Sequence, residues 1–296
     1  MRWPDDFHVR STTMTEVVQT VAELRQALAR RRIVGSQIGF VPTMGALHEG
    51  HLSLMRRSVS ECDATVVSVF VNPLQFGPRE DLSSYPRDFD RDVALSESTG
   101  VGLVFAPSVE EMYPAPLLTT VAVRDISEPF EGESRPTHFA GVTTVVAKLF
   151  NLVGPCRAYF GEKDWQQLTV VRRMVDDLSF DVDVIGCETV READGLALSS
   201  RNAYLGKAER AAAPVLQRSL TAGADAIATG ERDPARVLDL MTKLIDAEPL
   251  ASLDYMAVVD AKTLAAVDPL AGELRLLGAA RFGKARLIDN VGATAR

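Results

Sequence analysis

Cysteine is scarce: Cys62, Cys156 and Cys187 are the three in 296 residues, widely spaced and odd in number. That excludes a disulfide-stapled scaffold and points to a reducing compartment. Basic residues are outnumbered, 32 against 40 acidic, for a formal net charge of −8. Apart from Arg30-Arg31-Arg32 there is no basic run, so the electrostatic footprint of a nucleic-acid binder is missing. Long apolar runs are missing too. The most apolar helical stretch, 142–153, is interrupted by Lys148 and is too short to span a bilayer. The N-terminal residues, with Asp5, Asp6 and His8, lack the apolar segment of a secretion signal. No fixed-period repeat or low-complexity tract is present. The expectation is a cytoplasmic enzyme or ligand-binding protein without a nucleic-acid or membrane partner.

What is present is the composition of an ordinary globule, 46% apolar and 24% charged, long enough for about two domains at ~150 residues each. Thr20 and Glu23 form a capping-box pair ahead of a helix bearing Val21, Leu24 and Leu28. A β-type run at 38–41 precedes a helix expected over about 50–61. The segment 65–71 is a near-continuous apolar strand, the pattern of a parallel strand buried on both faces. Strand and helix signals then alternate: helix 89–97, strand 101–105, helix 139–153, strand 157–160, helix 164–178, strand 182–187. Such alternation predicts βαβ units and an open parallel sheet. Near Asn202 the rhythm changes to two Ala-rich helices (207–229 and 234–247) and short strands at 254–259, 273–280 and 285–288. The fold class is therefore α/β, a doubly wound parallel sheet over residues 1–187. A smaller α+β domain follows over 188–296, and residues 1–13 read as a loose extension.

In open parallel sheets, ligands bind beyond the carboxyl ends of the strands, so the residues following each strand carry the functional signal. After the first comes Pro42-Thr43-Met44-Gly45-Ala46-Leu47-His48-Glu49-Gly50-His51. Here two histidines three apart open a helix, where backbone amides favour phosphate. Zinc is a poorer reading, because the metalloprotease pattern places its histidines at i and i+4 around a Glu. Asn72-Pro73-Leu74-Gln75-Phe76 supplies a neutral hydrogen-bonding group in Gln75. Gly161-Glu162-Lys163-Asp164-Trp165-Gln166-Gln167 puts Lys163 at a helix start, against the dipole, which makes sense if an anion shares the site. Val190-Arg191 and Asp194-Gly195-Leu196-Ala197-Leu198-Ser199-Ser200-Arg201-Asn202 end on a donor cluster suited to phosphate. Each junction alone also reads as a turn or a helix cap. Jointly they gather two His, one Lys, one Arg and two Ser at one sheet edge, enough for a nucleoside triphosphate without a P-loop or G-x-G-x-x-G.

These segments, with Pro136-Thr137-His138-Phe139-Ala140-Gly141-Val142 and Arg286-Leu287-Ile288-Asp289-Asn290, closely resemble the pantoate–β-alanine ligase family in order and spacing. The likeness runs from about Ile38 to the end of the chain, dense to about residue 205 and sparse over 206–272. The His-x-x-His element alone would indicate only the wider nucleotidyltransferase superfamily. The resemblance implies a Rossmann-like N-terminal domain, a C-terminal domain that closes over it, a homodimer, and ATP as co-substrate; ATP normally reacts as its Mg²⁺ complex. It also implies condensation of (R)-pantoate and β-alanine to pantothenate, AMP and pyrophosphate through pantoyl adenylate. It places Met44, Gly45, Ala46, Leu47, His48, Glu49, Gly50 and His51 on ATP, with both histidines on its phosphates. Gly161, Glu162, Lys163, Asp164, Val190, Leu198, Ser199, Ser200 and Arg201 complete that nucleotide set. The general-acid role falls on His51, whose ordinary pKa of ~6.5 would let it carry a proton near neutrality. His48, Lys163, Ser199, Ser200 and Arg201 join it as catalytic residues. Gln75 and Gln167 are expected on pantoate, Gln75 later on β-alanine, and Met44 against the gem-dimethyl group.

Asp88, Asp90 and Asp92 are candidate outer ligands of Mg²⁺ or simply a solvated helix face, and no protein ligand of the metal is assigned. Trp165 stands where the family usually has Tyr or Phe, and the N-terminal extension aligns with nothing in it. Two rival readings follow from the same residues: a nucleotidyltransferase that leaves AMP on its product, and a non-catalytic nucleotide-binding protein.

Overall fold

The computed structural model describes residues 15–77, 82–83 and 85–296; the expected N-terminal extension over 1–13 lies outside them. The chain begins β1 (Glu16–Val18), α1 (Val21–Ile33), β2 (Ile38–Thr43), α2 (Glu49–Glu61) and β3 (Ala64–Val69). It continues α3 (Phe89–Ser98), β4 (Leu103–Phe105), α4 (Val109–Met112), α5 (Glu131–Ser134), α6 (His138–Val153), β5 (Cys156–Gly161), α7 (Trp165–Leu178) and β6 (Val182–Cys187). Then come α8 (Lys207–Ala212), α9 (Val215–Ala228), α10 (Pro234–Asp246), β7 (Ala251–Asp260), β8 (Gly272–Phe282) and β9 (Ala285–Ala295).

The first six strands form one parallel sheet in the order β1-β4-β3-β2-β5-β6. Side-chain alternation divides its apolar residues between two layers. Phe40, Val66, Ala158 and Phe160 face a core built with α1, α6 and α7. Val41, Val67 and Tyr159 face a second core with Leu52, Leu54 and Met55 of α2. The doubly wound expectation holds, and the expected capping box closes α1, with Thr20 and Glu23 each bonding the other's backbone N–H. Strand β1 escaped the sequence reading because three residues are too few to display a period.

The remaining strands form an antiparallel sheet in the order β7-β8-β9, packed with α8, α9 and α10 around Leu216, Leu220, Met241 and Leu276. The Ala-rich segment expected as one helix over 207–229 is two. Pro214 has no N–H to continue the ladder and stands at the N-terminus of α9. The strands are also longer than expected, at 10, 11 and 11 residues. Gly278, Ala279 and Ala280 in β8 are buried on both faces, which erases the alternation that would have revealed them.

One close approach fixes a site-bearing segment. Helix α6 passes so near the 3-10 turn Pro73–Gln75 that a Cβ on Gly141 would lie 2.3 Å from the Leu74 carbonyl oxygen and 2.6 Å from Gln75 Cα. Overpacking of this kind costs about 1–3 kcal/mol. Gly141→Ala should therefore lower the stability measured by urea denaturation by that amount; an unchanged midpoint would contradict the contact.

Candidate active site

The loop between β2 and α2 is built by its own hydrogen bonds. Thr43 Oγ1 donates to the Ser68 carbonyl at 2.7 Å and accepts the Gly45 N–H at 3.2 Å. Gly45 sits at φ 79°, and a Cβ there would meet Asp92 Oδ2 at 2.8 Å, so both backbone conformation and space call for glycine. Asp92, on α3, is 1% exposed and accepts the Ala46 and Leu47 N–H groups at 2.9 and 2.8 Å. Burial raises its pKa, and the two amides oppose the rise. Arg91 completes the clasp by donating to the Leu47 carbonyl at 3.1 Å.

The amides of Gly45, Ala46 and Leu47 are thus occupied within the loop. Of the three aspartates, Asp92 holds the loop, Asp88 caps α3 by accepting the Arg91 N–H, and Asp90 is exposed on that helix.

His48 is the N-cap of α2 and His51 its third residue. Their rings replace the usual hydroxyl and carboxylate of a capping box. Gly50 N–H donates to His48 Nδ1 at 3.2 Å and His48 N–H donates to His51 Nδ1 at 3.3 Å, with ring centroids 4.1 Å apart. A neutral imidazole that accepts at Nδ1 carries its proton on Nε2, so each ring keeps an Nε2–H donor. Burial lowers the pKa of His48, helped by the Lys163 charge. Burial, with His48 second, pushes His51 down to about 3. The expectation that His51 carries a proton near neutrality is overturned for the free protein, because its half-buried ring lies among other cationic groups.

Both imidazoles line a cavity of about 250 Å³ at the carboxyl ends of the parallel strands, together with Met44, Gly50, Gln75, Gly161, Lys163, Asp164, Gln167 and Val190. Leu198, Ser199, Ser200 and Arg201 line it too. Gln75 is buried. Its Oε1 accepts from Asn72 Nδ2 at 3.1 Å, and its Nε2 donates to Met44 Sδ at 2.9 Å. Thioether sulfur is a weak acceptor, so a carboxylate or hydroxyl oxygen would readily take that donor over. Arg135 Nη2 and His138 Nδ1 contact the Gln75 carbonyl at 3.2 and 3.0 Å. Asn72, Arg135 and His138 received no role from the sequence. For His138 the hint was its place in the segment 136–142, and for Asn72 its place beside Gln75.

Lys163 lies in a 3-10 turn, Glu162–Asp164, ahead of α7, 3.6 Å from Asp164. The second domain grips this turn: Asn290 Nδ2 donates to the carbonyls of Glu162 and Lys163 at 2.9 and 2.7 Å. Arg275 stacks 3.6 Å from the Trp165 ring and reaches Glu162 at 3.5 Å. The loop segment that follows β6 is fixed too, with Arg191 on Asp289 at 2.6 and 2.9 Å and Leu198 N–H on the Val190 carbonyl at 2.9 Å. Ser199 Oγ caps the turn Ser200–Tyr204 by accepting the Arg201 N–H at 3.2 Å.

Five expected site residues do not line this cavity. Glu49 is exposed and pairs with Arg56, Leu47 is buried in the core, and Glu162 turns to Arg275. Gly45 lines a separate cavity on the α3 side, and Ala46 adopts φ 51° within the loop. These positions shape the site rather than face it. Among the described residues no group of three His, Cys, Asp or Glu could hold a metal ion.

The depressed His51 pKa links to stability. The unfolded chain takes up a proton at His51 as pH falls through ~6.5 while the folded chain does not, so acidification from about 6.5 toward 3 favours unfolding. His51→Gln should therefore lose less stability between pH 7 and pH 5 than the unsubstituted protein, measured by urea midpoints. Equal losses would contradict the neutral imidazole.

The family model described as pantoate-beta-alanine ligase matches residues 16–292. The pantothenate synthetase of Agrobacterium fabrum is 57% identical over 275 residues, 93% of this chain and 94% of that protein. That of Heliobacterium modesticaldum is 54% identical over 275 residues, 93% of this chain and 98% of its own length. Pantothenate synthetase from Thermus thermophilus superposes with a TM-score of 0.89 at 52% identity, covering 94% of this chain and 99% of that one. A Francisella tularensis pantoate-beta-alanine ligase, crystallised with β-γ ATP and β-alanine, gives 0.76 at 32% identity, covering 94% and 97%. The chain belongs to the pantoate–β-alanine ligase family.

Proposed function

We propose that this chain condenses (R)-pantoate with β-alanine, using ATP, through a pantoyl-adenylate intermediate. The observation that carries the reading is the convergence of His48, His51, Lys163, Ser199, Ser200 and Arg201 with Gln75, Gln167 and Met44 around one cavity. A carboxylate oxygen of pantoate attacks the α-phosphorus, and the bond from that phosphorus to the bridging oxygen breaks. Pyrophosphate departs with the bond's electron pair. The β-alanine amine then attacks the acyl carbon, expels AMP and loses a proton.

Gln75 and Gln167 orient pantoate by hydrogen bonds and Met44 offers its gem-dimethyl group an apolar contact, so attack becomes effectively unimolecular. Lys163, Arg201 and the hydroxyls of Ser199 and Ser200 offset charge developing on the phosphates, where fixed donors in a dry site have their largest effect. His48 and His51 add two Nε2–H donors. His51 begins neutral; the negative charge of a bound triphosphate raises its proton affinity toward the range in which it can serve as an acid. Bound with the nucleotide, Mg²⁺ would supply charge neutralisation at the phosphates; Asp164 and Glu188, the carboxylates that line the cavity, would be the groups available to it or to its water. Residues 1–187 bind ATP and pantoate, and 188–296 close over them. A cytoplasmic homodimer belongs to the same reading. No helix among the described residues is long and apolar enough to cross a membrane.

The test is pantoate-dependent exchange of labelled pyrophosphate into ATP, followed by AMP release on adding β-alanine. Lys163→Ala and His51→Ala should each slow exchange by roughly 10²–10³-fold, the usual cost of one charge-stabilising donor, with unchanged circular dichroism. A loss below about threefold for both variants would contradict the assignment, as would adenylylated product without free AMP.

A further inference from the structure

The antiparallel sheet also meets the parallel-sheet domain away from the turn that bears Lys163. Arg286 of β9 donates from both Nη atoms to the carboxylate of Glu131 on α5, at 2.8 and 2.7 Å. Its Nε donates to Asp254 of β7 at 2.6 Å, and its Nη2 to Ser134 Oγ at 3.2 Å. Glu131 is buried. Its neighbour Phe130 packs on Tyr255 of β7, with ring centroids 5.5 Å apart. Phe130 holds φ 57°, a left-handed conformation that a bulky residue keeps only where its surroundings impose it. A two-pronged guanidinium–carboxylate pair fixes orientation as well as distance.

What Glu131 holds leads to the amides expected on pantoate. Its N–H donates to Gln166 Oε1 at 3.1 Å, and Gln166 Nε2 donates to the Ile126 and Pro129 carbonyls at 3.0 and 2.7 Å. Gln166 directly precedes Gln167, which lines the active-site cavity. Onward from Glu131 the backbone is closed by its own bonds. Arg135 N–H donates to the Glu131 carbonyl and His138 N–H to the Arg135 carbonyl, both at 2.9 Å. Arg135 and His138 then converge on the Gln75 carbonyl. A hydrogen-bonded path therefore runs from β9 to the main chain of Gln75. The Lys163 turn is held separately, by Asn290 and Arg275.

We propose that Glu131 is a positioning residue: paired with Arg286, it lets the second domain set the Gln75 amide that meets pantoate. The inference rests on the functional reading above, in which Gln75 orients pantoate.

Pantoate is titrated calorimetrically into protein saturated with α,β-methylene-ATP, and the nucleotide analogue is titrated alone as the control. Glu131→Gln keeps the shape and removes the charge; Arg286→Lys keeps the charge and loses the planar fork. Thermal denaturation checks folding, and Arg286→Lys alone decides if Glu131→Gln does not fold. Each variant should bind pantoate roughly threefold or more weakly, and the analogue within about twofold, as expected for coupling inside one hydrogen-bond network. The double variant should lose no more than about twofold beyond the more affected single variant, because both remove the same pair. Hydrogen exchange should quicken at the Arg135 and His138 amides and at that of Phe76, which donates to the Pro73 carbonyl.

A pair that merely held the domains together would weaken pantoate and analogue alike, and that result overturns the proposal. A smaller pantoate loss overturns it, as does additive loss in the double variant. Weaker pantoate binding with unchanged exchange at those three amides overturns it as well. Failure of the functional reading looks different: the unsubstituted protein then binds no pantoate, and the proposal falls with it.

Discussion

A sheet whose six strands all run parallel delivers every carboxyl end to one edge, and whatever follows each strand must share the space there. The loop after β2 brings two imidazoles and a thioether, and the turn after β3 brings an amide. The turn after β5 brings an ammonium, and the segment after β6 brings hydroxyls and a guanidinium. The four segments lie apart in sequence. Their convergence follows from topology, and topology follows from apolar strands buried on both faces between helices.

Holding cations together in a half-buried site has an electrostatic cost, and the structure meets it in two ways. The histidines are kept neutral, with His51 pushed down to about 3, so they add donors without adding charge. The backbone that carries them is fixed from outside the cavity. Asp92 satisfies the amides of Ala46 and Leu47 from α3, while Asn290 and Arg275 of the second domain fix the turn that bears Lys163. The second domain is thus part of the positioning machinery for a first-domain lysine, and relative motion of the domains would be felt at Lys163 directly.

Much of this was legible in the sequence. The α/β alternation, the capping box at Thr20 and Glu23, and the strand-end segments carrying His48, His51, Gln75, Lys163 and Arg201 were all readable, because each is a local pattern with a local cause. What was not legible depends on tertiary contact. Asp92 looked like a solvated or metal-binding carboxylate because its α3 spacing says nothing about the amides it meets. The pKa of His51 could not be read from its type, since burial and His48 set it. The length of β8 was hidden by small residues buried on both faces.

The account turns on a bond between a carboxylate oxygen and the α-phosphorus of ATP. Pantoate labelled with ¹⁸O in its carboxylate, turned over completely with ATP and β-alanine, tests that bond most directly by mass spectrometry of the products. Attack at the α-phosphorus followed by amine attack at the acyl carbon leaves one labelled oxygen on AMP. Unlabelled AMP, or label recovered in pyrophosphate or inorganic phosphate, would contradict it.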